Sequence, residues 1–278
     1  MPAVPGSSPV LPHEVLVEGT PVRYAVTGRQ DDDRAGDLVL VHGHGAHHVW
    51  WHAVVPLLAD RWRVVTFDLS GHGDSGHRAG YSGQQWAREI VAVAEAAGAR
   101  RPVVVGHSLG GRVALLAGGG HPDRIAGLVL IDCGILVPET LKGRTLPPPR
   151  PPKVYPTREA AVAAFRLGPS QPEPPAELFA PVAEYSVRAV EGGWTWKHGG
   201  QQFPTLYDEH VMHAATSLTI PVAYVSGGAS LVVDDAKAAE VTGMLPGVRA
   251  VRVPGLHHHM VLEDPAICAR LIDELARA

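Results

Sequence analysis

"VVVGHSLGGRVALLAG", residues 103–118, places one serine between glycines at the point where a run of β-branched residues ends. The valines at 103–105 favour a buried strand, and the apolar residues 113–117 favour a helix. The pentapeptide at 106–110 matches G-x-S-x-G, in which the glycines permit a strained strand-to-helix turn that exposes the serine as a nucleophile. The alternative is that Ser108 only caps the helix.

The chain has 278 residues, enough for one large core with an insertion. Its formal net charge of -4 argues against nucleic acid as a partner. Cys133 and Cys268 cannot form a disulfide framework, and neither has the spacing of a metal ligand. No run reaches about 18 consecutive apolar residues, and the first twelve residues lack the pattern of a secretory signal. We therefore expect a cytoplasmic protein with no membrane span.

Short apolar runs alternate with segments of helical period through the first half of the chain. Residues 13–28 predict a hairpin of two strands, and residues 50–59 and 84–97 predict helices. Further buried strands are predicted at residues 38–43, 62–68, 102–108 and 125–132. This alternation predicts a mostly parallel sheet of eight strands with helices on both faces, an α/β fold.

The alternation stops between residues 134 and 217, where no clean strand is evident and prolines are dense. A short helix is predicted at residues 158–167. A disordered linker between two domains is the alternative, but Trp194 and Trp196 favour packed structure. We therefore predict a mainly helical cap over residues 135–215.

The alternation resumes after this segment, and it completes the predicted core. Strands are predicted at residues 220–228 and 248–253, with helices at 235–244 and after Pro265. The α/β core then comprises residues 1–134 and 216–278.

A nucleophilic serine needs a base, a group that orients the base, and donors for an oxyanion. "VHGHGAHHVWW" follows the predicted third strand, and we predict that the backbone N–H groups of His44 and Leu109 form the oxyanion hole. The alternative is a glycine-rich loop with surface histidines. The base is expected after the last strand, where "VPGLHHHMVLEDP" supplies His257, His258 and His259.

The sequence resembles the α/β-hydrolase superfamily over essentially its whole length. The resemblance rests on "VHGHG", "DLSGHGDSG" at residues 68–76, "GHSLGG" and the terminal "HHHMVLEDP". It implies that the catalytic histidine stands five residues before an acidic residue, in a G-H-x(4)-E-x-P pattern. Counting back from Glu263 selects His258, and His257 replaces the usual glycine.

The acid of the implied triad is the least direct assignment. The resemblance places it most often after the seventh strand, at the fourth position of a G-x-x-D turn, but residues 227–231 contain no carboxylate. Some members carry the acid at the end of the sixth strand, where this chain has Asp132, our predicted acid. Asp132 could instead be a structural carboxylate. Asp234 is the alternative acid, although Asp234 and Asp235 fit the start of a helix. A third possibility is that neither Asp132 nor Asp234 is the acid of the triad.

Other motifs receive structural interpretations. Within the resemblance, Asp68, His72 and Asp74 are expected to tie loop amides and to fix a turn. His48 and His52 have the i, i+4 spacing of metal ligands on a helix, but their segment is already explained by the oxyanion loop. We expect no metal and no cofactor, and the glycines form no dinucleotide fingerprint.

These features predict a serine hydrolase that cleaves an ester-like small molecule through an acyl-enzyme. The resemblance implies an aspartate nucleophile for epoxide and haloalkane hydrolases, so Ser108 argues against both. Thioester, lactone or carbon–carbon bond hydrolysis by the same triad remains open, as does a non-catalytic ligand-binding protein of this fold. Aromatic residues predicted to line the substrate pocket are Trp50, Phe165, Phe179, Trp194 and Trp196.

Overall fold

The computed structural model describes residues 11–29, 36–135, 152–198 and 208–277. The strands of these residues are β1 (His13–Val17), β2 (Thr20–Gly28), β3 (Gly36–Val41), β4 (Trp62–Phe67), β5 (Val103–His107), β6 (Gly127–Ile131), β7 (Val187–Val190), β8 (Gly193–Trp196), β9 (Val222–Gly227) and β10 (Arg249–Val253). The helices are α1 (Val55–Leu58), α2 (Gly83–Ala96), α3 (Leu109–Gly120), α4 (Arg158–Ala163), α5 (Ala176–Tyr185), α6 (Asp208–Thr216), α7 (Asp235–Met244), α8 (Met260–Glu263) and α9 (Pro265–Ala276).

Eight of the strands form one sheet in the order β1-β2-β4-β3-β5-β6-β9-β10. The β1–β2 and β2–β4 pairs are antiparallel, and the other neighbours are parallel. The predicted eight-stranded, mostly parallel sheet is therefore confirmed. Because β5, β6, β9 and β10 run in the same direction, the residues that follow them meet at one edge of the sheet.

The two faces of the sheet carry separate apolar clusters. Val39, Val41 and Val104 pack with residues of α2 and α3, whereas Leu40 and Val105 pack with residues of α9 on the other face. This division follows from the alternation of side chains along a strand. None of the helices in the described part of the chain has the length and apolar character that a membrane crossing requires.

Two predicted helices are shorter than their sequence patterns suggested. Residues 50–59 do not form one helix: a single 3₁₀ turn spans His48–Trp51, and α1 begins at Val55, beside Pro56. Pro56 favours a first helical turn, and the burial of Trp50 and Trp51 fixes the preceding turn separately. Helix α4 ends at Ala163, where the prediction extended to residue 167, shortly before Gly168 and Pro169.

The expectation of no strand between residues 134 and 217 is wrong. Strands β7 and β8 form a separate antiparallel hairpin whose two-residue turn contains Gly192, at a φ of 80°. A short Val-rich run, two glycines and a Trp-rich run are a hairpin pattern that the proline-dense surroundings obscured. The prolines at 147–151 lie outside the described residues.

The segment between β6 and β9 is attached to the sheet in two ways. Helix α6 lies against α3, where Val211 and Ala215 are buried in the same cluster as α3. Helix α5 is buried in the cluster on the other face through Val182, Ala183 and Tyr185, whereas α4, β7 and β8 carry their own small cluster around Tyr155, Ala161 and Val187.

A buried carboxylate joins this segment to the loops of the sheet. Asp68, which follows β4, is fully buried, and its Oδ1 accepts hydrogen bonds from the His48 amide at 2.7 Å and from His48 Nδ1 at 2.9 Å. Its Oδ2 accepts from the Asp74 amide at 2.9 Å, and it shares the Tyr185 hydroxyl proton with the Asp74 carboxylate. Burial alone would raise the pKa of Asp68, but the interactions with the surrounding histidines, His48 foremost, together outweigh it and lower that pKa. Since Tyr185 ends α5, the network fixes α5 against the core.

A neutral contact lies beside the Asp68 network. The Ser186 hydroxyl donates to the Val182 carbonyl at 2.7 Å, so it accepts from His47 Nε2 at 2.9 Å. This assignment places the His47 proton on Nε2. Burial lowers the pKa of His47, which agrees with a neutral ring.

We expect Gly110→Ala to destabilise the protein by about 1–3 kcal/mol, because its new methyl group would collide with the carbonyls of Val41 and His42. Gly120→Ala, at the end of the same helix, is the matched control: no atom lies within 4 Å of its new methyl group. Urea unfolding of both variants tests this, and equal stability of the two would contradict the close packing at residue 110.

Asp68→Asn should lower the free energy of unfolding at neutral pH and flatten its dependence on acid. In the wild type, the unfolded carboxyl binds a proton below about pH 4, while the lowered pKa keeps the folded carboxylate ionised. Stability that is present above that pH is therefore lost as the pH falls, by up to about 1.4 kcal/mol per pH unit. Urea unfolding from pH 6 to pH 3, with the exposed Asp123→Asn as control, should show a shallower loss only for Asp68→Asn. Equal slopes would contradict the assignment.

Candidate active site

Ser108 occupies a strained turn between β5 and α3. Its φ is 55° and its ψ is -118°, a backbone conformation that costs a residue with a side chain about 1–3 kcal/mol. A side chain at Gly106 would collide with the Gly110 carbonyl, so the turn requires a glycine there. The Ser108 side chain makes no capping hydrogen bond to α3. The Ser108 side chain therefore does not act as the helix cap that the alternative interpretation requires.

His258 lies in the loop after β10 and contacts both Ser108 and Asp132. Its Nε2 is 3.1 Å from Ser108 Oγ, and its Nδ1 is 2.7 Å from Asp132 Oδ2. Because an ionised carboxylate can only accept, Nδ1 carries the proton and donates to Asp132. The Nε2 lone pair then faces the serine hydroxyl, and this tautomer suits a general base.

Asp132 follows β6 and is fully buried, with a φ of 43°. Three donors surround its carboxylate: the Gly227 amide is 2.9 Å from Oδ1, and Ser230 Oγ at 2.6 Å joins His258 at Oδ2. Burial of an ionised carboxylate is tolerated when its lone pairs are satisfied in this way.

The alternative acid is elsewhere engaged. Asp234 is exposed at the start of α7, where its Oδ1 accepts from the Lys237 amide at 2.7 Å. The structure brings Ser108, His258 and Asp132 together, while Asp234 acts as a helix N-cap.

The predicted oxyanion loop passes directly over Ser108. A side chain at Gly43 would begin 3.2 Å from Ser108 Cβ, so the backbone that leads into His44 lies against the serine. Leu109 is the first residue of α3, where backbone N–H groups have no acceptor within the helix. Both predicted donors therefore belong to segments that border Ser108, and their role in an oxyanion hole stays a prediction.

His42 holds this loop in place. The Leu69 amide donates to His42 Nε2 at 3.0 Å, so the ring proton is on Nδ1, which donates to the Gly43 carbonyl at 2.8 Å. Burial lowers the pKa of His42 to about 4, which agrees with a neutral ring. A neutral ring in one tautomer fixes the loop without adding charge beside Ser108.

Glu263 and Gln171 organise the loop that carries His258. The Glu263 carboxylate accepts from the His257 amide at 3.1 Å and from His257 Nδ1 at 2.9 Å. Gln171 donates to Glu263 at 2.7 Å and accepts from the His259 amide at 2.9 Å. Sequence reasoning missed Gln171, which lies in the proline-dense segment and belongs to no motif.

One group of three potential metal ligands occurs in the described part of the chain: His107, His258 and His259, with ligand atoms within 4.8 Å of one another. His258 could not bind an ion there without giving up Ser108 or Asp132. His107 Nε2 lies 2.8 Å from the His258 carbonyl, the geometry of a hydrogen bond that His107 donates. Burial lowers the pKa of His259 to about 3 and lowers that of His107. His107 is thus held by its hydrogen bond, and the lowered pKa values of both flanking rings agree with neutral packing around His258.

The predicted pocket residues fall into three places. Phe165 packs against Phe179 and Trp196, with ring centroids 5.8 and 6.5 Å apart. Trp50 lies against His259, 4.9 Å between centroids, and is thus close to the base. Trp194 pairs with the backbone of Tyr155, within the small cluster around β7 and β8. That these five residues line a pocket stays a prediction.

Comparison with known proteins gives a match to a family and to several enzymes. Residues 38–265 match the model of the alpha/beta hydrolase fold family. The 2-(acetamidomethylene)succinate hydrolase of Mesorhizobium japonicum is 26% identical over 244 residues, 86% of this chain and 87% of the relative. The pimeloyl-[acyl-carrier protein] methyl ester esterase of Methylococcus capsulatus is 43% identical over 102 residues, 36% of this chain and 38% of the relative. The chain thus matches less than two-fifths of the length of that esterase.

Solved structures show the same fold. An E-2-(acetamidomethylene)succinate hydrolase superposes with a TM-score of 0.78 at 22% identity, over 96% of this chain and 98% of that one. A thioesterase domain from the curacin biosynthetic pathway has a TM-score of 0.76 at 20% identity, over 94% of this chain and 98% of that one. The strained serine turn, the eight-stranded sheet and the match over residues 38–265 lead to one conclusion: the chain belongs to the alpha/beta hydrolase fold family.

Proposed function

We propose that this protein is a serine hydrolase that cleaves the ester bond of a small molecule through an acyl-enzyme on Ser108. The observation that carries the proposal is the unbroken path from Ser108 Oγ to His258, 3.1 Å, and from His258 to Asp132, 2.7 Å. The esterases and hydrolases among the relatives support the reaction class.

The proposed reaction has two halves. His258 Nε2 takes the Ser108 proton as Oγ attacks the ester carbonyl, and the His44 and Leu109 amides stabilise the oxyanion. His258 then gives that proton to the leaving alcohol, and an acyl group remains on Ser108. A water molecule, activated by the same ring, attacks the acyl-enzyme and releases the acid.

In this proposal Asp132 orients the base and stabilises its charged form. The carboxylate holds the proton on Nδ1, which leaves Nε2 free to act, and its negative charge favours the imidazolium that forms during attack. A non-catalytic binding protein would need no buried carboxylate behind His258. The full burial of Asp132 and its three donors thus favour the hydrolase over the binding protein.

We further propose that residues 135–215 act as a cap that shapes the substrate pocket of a core formed by residues 1–134 and 216–278. Gln171 supports this role because it bonds to the loop that carries the base. The Asp68–Tyr185 contact supports a fixed position for α5 over the loops of the core. Helix α6, which packs on α3, would then form the end of the cap that leads to β9.

The test is turnover of p-nitrophenyl esters from acetate to decanoate by the wild type and matched variants. Ser108→Ala should abolish turnover, and Asp132→Asn should lower kcat by about 10⁴, because it disfavours the tautomer that leaves Nε2 free. Asp234→Asn, which alters only a helix cap, should leave kcat unchanged. Turnover that survives in Ser108→Ala, or that collapses in Asp234→Asn but not in Asp132→Asn, contradicts the proposed triad.

A further inference from the structure

The hydroxyl of Ser230 touches the carboxylate of the proposed triad. Ser230 lies in the loop after β9, is 6% exposed, and places Oγ 2.6 Å from Asp132 Oδ2. The resemblance places the acid most often in this turn; here the turn has a hydroxyl, in contact with the predicted acid that follows β6.

The direction of this hydrogen bond follows from the other partners of Ser230. The amides of Val232 and Val233 both donate to Oγ, each at 3.1 Å. Those two bonds use the lone pairs of Oγ, so its own proton is directed to Asp132. A hydroxyl that donates to a carboxylate forms a short, charge-assisted bond, consistent with 2.6 Å.

The end of β9 and the loop after it supply donors to both oxygens of the carboxylate. The Gly227 amide donates to Oδ1 at 2.9 Å, and Ser230 donates to Oδ2, the oxygen that also accepts from His258. Two donors on different oxygens fix the rotation of the carboxylate about its Cβ–Cγ bond. Oδ2 is thereby held in line with Nδ1 of the base.

We propose that Ser230 is a positioning residue, which holds the Asp132 carboxylate in the orientation that His258 requires. The inference rests on the proposed function, and Ser230 acts through Asp132 without touching the substrate. The competing explanation is that Ser230 only closes the turn at residues 230–233 through its two backbone partners. That explanation predicts an effect on stability alone.

The experiment compares Ser230→Ala with Ser226→Ala. Ser226 is a buried serine of β9, 2% exposed, whose Oγ accepts from Arg252 at 3.1 Å, and no contact joins its side chain to Asp132 among the described residues. Two quantities are measured: kcat and KM with the best p-nitrophenyl ester, and the low-field proton resonance of His258 Nδ1–H in the full-length protein. The resonance is assigned by its absence in Asp132→Asn.

We expect Ser230→Ala to lower kcat about tenfold or more with KM changed less than about twofold, since a hydrogen bond to a charged group is lost behind the base. The His258 resonance should move or broaden. Ser226→Ala should match the wild type in both measurements. Wild-type kcat and an unchanged resonance in folded Ser230→Ala would overturn the proposal.

Ser230→Cys keeps the shape of the side chain with a weaker donor, and it serves if the alanine variant does not fold. It should give a kcat below that of the wild type and a shifted resonance; wild-type behaviour in both would overturn the proposal. Failure of the proposed function is seen separately, as an absence of Ser108-dependent turnover in the wild type. The resonance still reports whether Ser230 holds Asp132 in that case.

Discussion

The arrangement at this edge of the sheet depends on the strained turn at Ser108. A φ of 55° at a residue with a side chain is sustained only because its surroundings leave no relaxed alternative. The backbones of Gly106 and Gly110 approach so closely that a side chain at Gly106 would not fit. Gly110 also lies against the carbonyl groups at the end of β3, and Gly43 lies against Ser108 Cβ. The protein therefore accepts a strained backbone at Ser108, and the surrounding backbone contacts hold the serine hydroxyl clear of the sheet. The helix that follows is left uncapped by Ser108, whose hydroxyl faces His258.

Two fully buried carboxylates serve this edge in different ways. Asp68, after β4, is surrounded by His48, Asp74 and Tyr185, and it fixes the segment between β6 and β9 against the core. Asp132, after β6, has its donors arranged so that one of them is His258. Burial without these donors would cost several kcal/mol for each carboxylate. Both residues are buried carboxylates whose hydrogen bonds are satisfied. Asp68 uses these bonds to hold two segments of the chain together, and in our proposal Asp132 uses them to orient the catalytic base.

The core was predictable because its signals are local. A window of about ten residues is enough to recognise the valine runs of β3 and β5 and the helical period of α2. The sheet that these patterns predict is confirmed. The β7–β8 hairpin was missed because two four-residue strands beside many prolines give a weak pattern. Ser230 and Gln171 could not be found in the same way, since their importance lies in partners 98 and 88 residues distant along the chain. Ser108, His258 and Asp132 were selected by motif and resemblance; the structure places them together, and their roles stay predictions.

The central claim is that Ser108 is a nucleophile made reactive by His258, and covalent labelling tests it most directly. The folded wild type would be treated with a fluorophosphonate, which phosphonylates activated serines, and the adduct mapped by mass spectrometry after digestion. Our account predicts one adduct, on the peptide that contains Ser108, which is lost in Ser108→Ala and formed far more slowly in Asp132→Asn. No adduct on the folded wild type, or an adduct that persists on another residue in Ser108→Ala, would contradict it.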